Sequence, residues 1–195
     1  MSDPVEVLDF WLGEVGPAGW YAGGEMLDLE CRMRFGDLWQ AAHDGGLEHW
    51  VDGAAGTLAY LVICDQLSRN MHRGSALAFA TDGRALAAAK RAVAEGWDLA
   101  APEPERQFFY LPFEHSEDPE DQARAVQLMS ERMVSDPEMA LHARAHQAII
   151  ARFGRFPFRN AALGRLTTSE EADFMANGGY MAEVNRLRAS HAPGA

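Results

Sequence analysis

"DPEDQARAVQLMSERMV" (118–134) and "DPEMALHARAHQAIIARFG" (136–154), separated by Ser135 alone, decide the fold class. Both open on Asp-Pro-Glu: an aspartate suited to the N-cap, a proline where a missing N–H costs nothing, and an acid in the first turn. Gly154 and Pro157 break the second helix. So short a connection makes the two helices antiparallel neighbours.

Working outward, the same punctuation recurs. "DPVEVLDFWLG" (3–13) starts on Asp3 and Pro4 and is expected to end at Gly13, and "MLDLECRMRFGDLWQAAHDGG" (26–46) closes at Gly45–Gly46. "GTLAYLVICDQLSRNMHRG" (56–74) carries Leu58, Leu61, Val62 and Asp65 along one stripe and stops near Gly74, and "TDGRALAAAKRAVAEGWD" (81–98) meets Gly96. Pro112 is expected to end or kink any helix in "EPERQFFYLPFEH" (103–115). "TTSEEADFM" (167–175) offers a capping box of Thr168 with Glu171. The reading is an all-α protein of antiparallel hairpins, about eight helices in one domain over 1–180, with 181–195 a weakly ordered tail.

The totals bound the function. The 195 residues suffice for a sizeable core without metal or disulfide staples. A net charge of −12 opposes nucleic acid and anionic membrane as general partners. Cys31 and Cys64 lack metal or redox spacing and read as buried apolar residues. No signal peptide or membrane span is visible, so the expectation is a soluble cytoplasmic protein. Sixteen arginines accompany a single lysine, Lys90, so only the clustering of arginines carries information.

Three segments place polar groups where apolar ones are expected. In "DQLSRN" (65–70) the stripe runs into Asp65, then Arg69 one turn on, with Asn70, His72 and Arg73 beyond. Either Asp65 and Arg69 form an ion pair that orients the helix end, or Asp65 holds Arg69 towards a ligand. "FFYLPFEHSED" (108–118) delivers His115, Ser116 and Glu117 at the end of an apolar run containing Tyr110. Capping explains Ser116 and Asp118 but leaves His115 and Glu117, a pair suited to acid–base work. In "LHARAHQAIIARF" (141–153), His142 and His146 have the one-turn spacing of a helical zinc pair, but Ala143 stands where a zincin needs glutamate. His146 continues the apolar stripe, so a satisfied core histidine is the competing reading, and the reading assigns neither metal nor cofactor.

"RFGRFPFRN" (152–160) sits inside a stretch, 139–169, that has no Asp or Glu although the chain has twenty-nine. Its arginines suit bidentate grip on a carboxylate or phosphate; alternatively they pair with acids of neighbouring helices. The expected site combines His115, His146, Glu117 and Asp65 as acid–base groups. Arg69, Asn70, Arg73, Arg152, Arg155, Arg159, Asn160 and Tyr110 are the expected ligand-binding groups. A small anionic molecule is the expected ligand, with a hydrolase or transferase on the same groups and a scaffold for a protein partner as alternatives.

"DQLSRNMHRG" (65–74), "FFYLPFEHSED", "RFGRFPFRN" and "LGRLTTSEE" (163–171) resemble the signature segments of the bacterial family catalogued as domain of unknown function 924. "VLDFWLGE" (7–14) and "AFATDGRALAAA" (78–89) fit it as well. The resemblance runs over about 4–180 and implies a tetratricopeptide-like right-handed array of helical hairpins. The family segment usually reads Phe-Pro-His-Arg-Asn, and this chain has Phe158 at the histidine position, which weakens any catalytic role there. The resemblance implies a fold and brings no activity.

Overall fold

The computed structural model describes residues 3–191, and among them every regular element is helical. The chain divides into two compact units, Met1–Pro112 and Phe113–Ala195. The described α-helices begin with α1 (Pro4–Leu8, continued by a π-helical stretch Asp9–Val15 and followed by a single turn Gly16–Gly19), α2 (Glu25–His43) and α3 (Ala54–Leu61, a π-helical turn Val62–Leu67, then Ser68–Met71). They continue with α4 (Asp82–Glu95), the single turn α5 (Leu111–Glu114), α6 (Pro119–Arg132), α7 (Pro137–Phe153), α8 (Ser169–Ala176) and α9 (Gly179–His191). None is long and apolar enough to cross a membrane.

In the first unit Phe10 and Trp11 of α1, Trp20, and Phe108 and Phe109 of the 3-10 turn Glu105–Phe109 are buried together with the apolar faces of α2, α3 and α4. Trp20 packs edge-on against Phe108 at 4.8 Å, and its indole N–H donates to the Trp11 carbonyl at 2.7 Å. Cys31 and Cys64 are buried free thiols, each pushed up to about 12 chiefly by burial. Gly13 does not end α1, because the helix widens into π geometry and closes at Gly16, whose φ of 63° only glycine adopts readily. A π-helical turn also interrupts α3, and inside it the Cys64 carbonyl accepts hydroxyl bonds from Ser68 (2.9 Å) and Thr81 (2.6 Å).

In the second unit α6 and α7 form the hairpin. Asp118 accepts from the Glu120 N–H at 2.7 Å and Asp136 from the Glu138 N–H at 3.1 Å, so both Asp-Pro-Glu starts cap their helices. The 3-10 turn Glu105–Phe109 ends before Pro112, which is the second residue of α5, in a first turn where its missing donor is harmless. Ile149, Ile150 and Phe156 form one buried cluster with Phe153, Phe174 and Tyr180, and Leu141, Ala145 and Val184 form another. Of the tail read over 181–195, residues 181–191 belong to α9, and 192–195 lie outside the described residues.

α7 ends on Gly154 in the left-handed conformation, φ 68°, with its N–H donating to the Ile150 carbonyl at 2.8 Å. A Cβ there meets nothing within 4 Å, so the cost of a side chain is conformational only. Gly154→Ala is therefore expected to lower stability by about 1 kcal/mol in urea denaturation, without changing helix content.

Candidate functional site

In the first unit the expected arginines pair with carboxylates. Asp65, 1% exposed, pairs with Arg69 at 3.3 Å, and Arg69 reaches Asp82 through both terminal nitrogens at 2.6 and 3.0 Å. Arg69 also donates to the Ala78 carbonyl and lies over the Phe79 ring at 4.9 Å. Asn70 donates to Asp28 at 2.9 Å, and Arg73 grips the same carboxylate at 2.7 and 2.9 Å. Those Arg73 bonds, helped by Asn70, hold the Asp28 carboxyl below its usual range against the effect of burial. Tyr110 is fully buried and its hydroxyl donates to Asp98 at 2.6 Å. Here the arginines meet carboxylates of neighbouring elements, and both terminal nitrogens of Arg69 are engaged.

The second unit holds the arrangement with chemical potential, and it begins at Glu114, the last residue of α5. The buried Gln122 of α6 donates to the Glu114 and Ser116 carbonyls, at 2.6 Å each, and so fixes the end of that single turn. Glu114, 3% exposed, is thereby set against α7, where its Oε1 lies 2.7 Å from His146 Nδ1. The same Nδ1 lies 3.1 Å from the His142 carbonyl. Both neighbours of Nδ1 are acceptors, so Nδ1 carries the hydrogen and the neutral ring presents its lone pair at Nε2. Nε2 has no hydrogen bond among the described residues. The imidazole side chain is 13% exposed, between the rings of Tyr180 at 4.7 Å and Phe156 at 5.4 Å. The His115 ring stands edge-on to it at 6.3 Å, and the Tyr180 hydroxyl bonds His142 Nδ1.

The carboxylate on His146 is Glu114, and neither Glu117 nor Asp65, the two expected to orient a histidine, is bonded to it. Glu117 points elsewhere: it accepts the Phe156 N–H at 2.8 Å and both terminal nitrogens of Arg165, at 2.7 and 3.0 Å. Burial pushes Glu117 up, but the Arg165 bonds and the Phe156 N–H outweigh it and leave the carboxyl below its ordinary range. Glu117 thus ties the end of "FFYLPFEHSED" to the "RFGRFPFRN" turn as a structural clamp. Ser116 and Asp118 do the capping expected of them, Ser116 accepting from the Asp118 N–H at 3.2 Å. Glu114 was missed although it closes an apolar run, the one sequence signal of a buried carboxylate.

The turn itself is pinned by Phe156, fully buried, with the Arg159 guanidinium over its ring at 4.5 Å and Arg159 only 6% exposed. Arg155 grips Glu171 at 2.6 and 2.9 Å, and Arg152 reaches Glu170 at 2.9 Å. Glu171 also accepts from the side chain of the buried Asn160 at 3.2 Å and from the Thr168 N–H at 2.7 Å, the latter half of the expected capping box. These donors, Arg155 first, hold the Glu171 carboxyl at about 2. Its folded value lies below the unfolded one, so its contribution is present above pH ~4.5 and lost as pH falls towards 2. In urea titrations from pH 6 to 2.5, Glu171→Gln is expected to lower the midpoint at pH 6 and to lose less than wild type on acidification.

In the second unit His115 and His146 stand together with Glu114 and Tyr180, whereas Glu117, Arg152, Arg155 and Asn160 are engaged in the ion pairs and hydrogen bonds of the turn and α8, and Arg159 lies over Phe156; Asp65, Arg69, Asn70, Arg73 and Tyr110 belong to the first unit. No group of three His, Cys, Asp or Glu among the described residues is placed to hold a metal ion.

A family model described as "Bacterial protein of unknown function (DUF924)" matches residues 7–179. A solved structure, that of the protein of unknown function ATU0120 from Agrobacterium tumefaciens, is 39% identical with a TM-score of 0.84. The match covers 90% of this chain and 97% of that one. Comparison with curated proteins finds no match.

Proposed function

We propose that this chain, which belongs to the bacterial family of unknown function DUF924, is a hydrolase or transferase whose acid–base group is His146, oriented by Glu114. One observation carries the reading: a buried carboxylate 2.7 Å from Nδ1 of an imidazole whose Nε2 has no described partner at a partly open edge. A carboxylate on Nδ1 fixes the tautomer, aims Nε2 and stabilises the imidazolium that forms when Nε2 takes a proton. Nε2 of His146 would accept the proton of an attacking water or hydroxyl and return it to the leaving group. Glu114 acts as a positioning residue.

A small phosphate- or carboxylate-bearing molecule remains the substrate class that the acid-free stretch favours. Of the arginines in that stretch, 155 and 165 are held by Glu171 and Glu117. The test is turnover of a panel of small carboxylic and phosphoric esters by the full chain and by His146→Gln. Hydrolysis by wild type that His146→Gln loses supports the reading; equal rates in both contradict it.

A further inference from the structure

On the first unit, α2 turns an apolar ridge outward. Met26 is 79% exposed, Leu29 45% and Met33 77%, and their i, i+3, i+7 spacing sets them on one face. Isolated exposed apolar residues are ordinary, but a continuous ridge of them marks a contact surface, and methionine is the side chain that adapts best to a partner. The charges around the ridge are sorted. Arg32 turns to the Met71 carbonyl at 3.2 Å, and Arg34 turns to Glu14 at 2.8 and 3.1 Å, with its guanidinium over Phe10. Glu25 and Asp37, one beyond each end of the ridge, are exposed and have no hydrogen bond or ion pair among the described residues. The free charges flanking the ridge are thus both negative, on a chain whose net charge of −12 opposes docking of a second copy.

We propose that this face of α2 is a docking site for a cationic amphipathic helix of a partner protein. Glu25 and Asp37 are separated by about 18 Å along the helix axis. The partner accordingly carries an apolar stripe with a Lys or Arg about one dozen residues apart at its two ends. The proposal is independent of His146.

The probe is a synthetic 18-residue Leu/Lys helix built to that spacing, with a scrambled peptide of the same composition as control. Binding to the full chain is followed through the methionine methyl resonances. The expected result is perturbation centred on Met26 and Met33, at least tenfold weaker binding by Met33→Ser, and a flatter salt dependence in Asp37→Asn. Unmoved Met26 and Met33 methyls, or equal binding of the scrambled peptide, would overturn it. So would wild-type self-association that Met33→Ser abolishes, since the occupant would then be a second copy. Met33 is on the surface, and unchanged helix content in the Ser variant confirms that the fold is intact.

Discussion

His146→Gln is expected to reduce kcat/KM on any substrate found for this chain by roughly 10²–10⁴, the range that a positioned acid–base group contributes. The loss should fall on kcat with KM nearly unchanged, because proton transfer is made in the transition state and not in substrate binding. Glu114→Gln should act in the same direction through a different cause. Its amide can turn an N–H towards Nδ1, which moves the ring hydrogen to Nε2 and removes the lone pair from the reacting edge. A drop of roughly 10²-fold or more follows from a wrong tautomer alone. Glu117→Gln separates the two carboxylates: it loosens the turn through Phe156 and Arg165 and leaves the Glu114–His146 bond in place. Comparable kcat losses in Glu117→Gln and Glu114→Gln would show that the assignment of roles is wrong.

Phe156→Ala is the substitution expected to cost most stability, roughly 3–5 kcal/mol. The ring is fully buried, closes the cluster of Ile149 and Ile150, and touches His146, while the Phe156 N–H is held by Glu117. Deletion leaves a cavity whose wall includes the imidazole, and the melting temperature should fall by on the order of 10 °C. Phe156→Leu keeps most of the volume and should cost much less, about 1.5 kcal/mol or below. Phe158, stacked on Phe156 but 41% exposed, provides the internal contrast: Phe158→Ala should leave stability nearly unchanged in the same melts.

The helices were legible because their signals are local. Asp118 and Asp136 cap where Asp-Pro-Glu says they should, and Thr168 with Glu171 makes the box that four consecutive residues announce. The π-helical stretches Asp9–Val15 and Val62–Leu67 were not legible, since no local residue preference distinguishes them from ordinary helix. His146 was visible as a polar residue on an apolar stripe. Its partner was not, because the choice between Glu114 and Glu117 is made by groups outside the segment that holds both. Arg165, 48 residues away, draws Glu117 off, and Gln122 locks the turn that presents Glu114. Likewise the excess of arginine in "RFGRFPFRN" reads as a free basic wall until Glu171 is seen to hold Arg155.

The most direct measurement is the nitrogen-15 spectrum of the His146 ring in the full-length protein. In the neutral ring the hydrogen is expected on Nδ1 and the lone pair on Nε2, with that preference lost in Glu114→Gln and kept in Glu117→Gln. A wild-type ring with its hydrogen on Nε2 would contradict that assignment, since no lone pair would then face outward to take a proton.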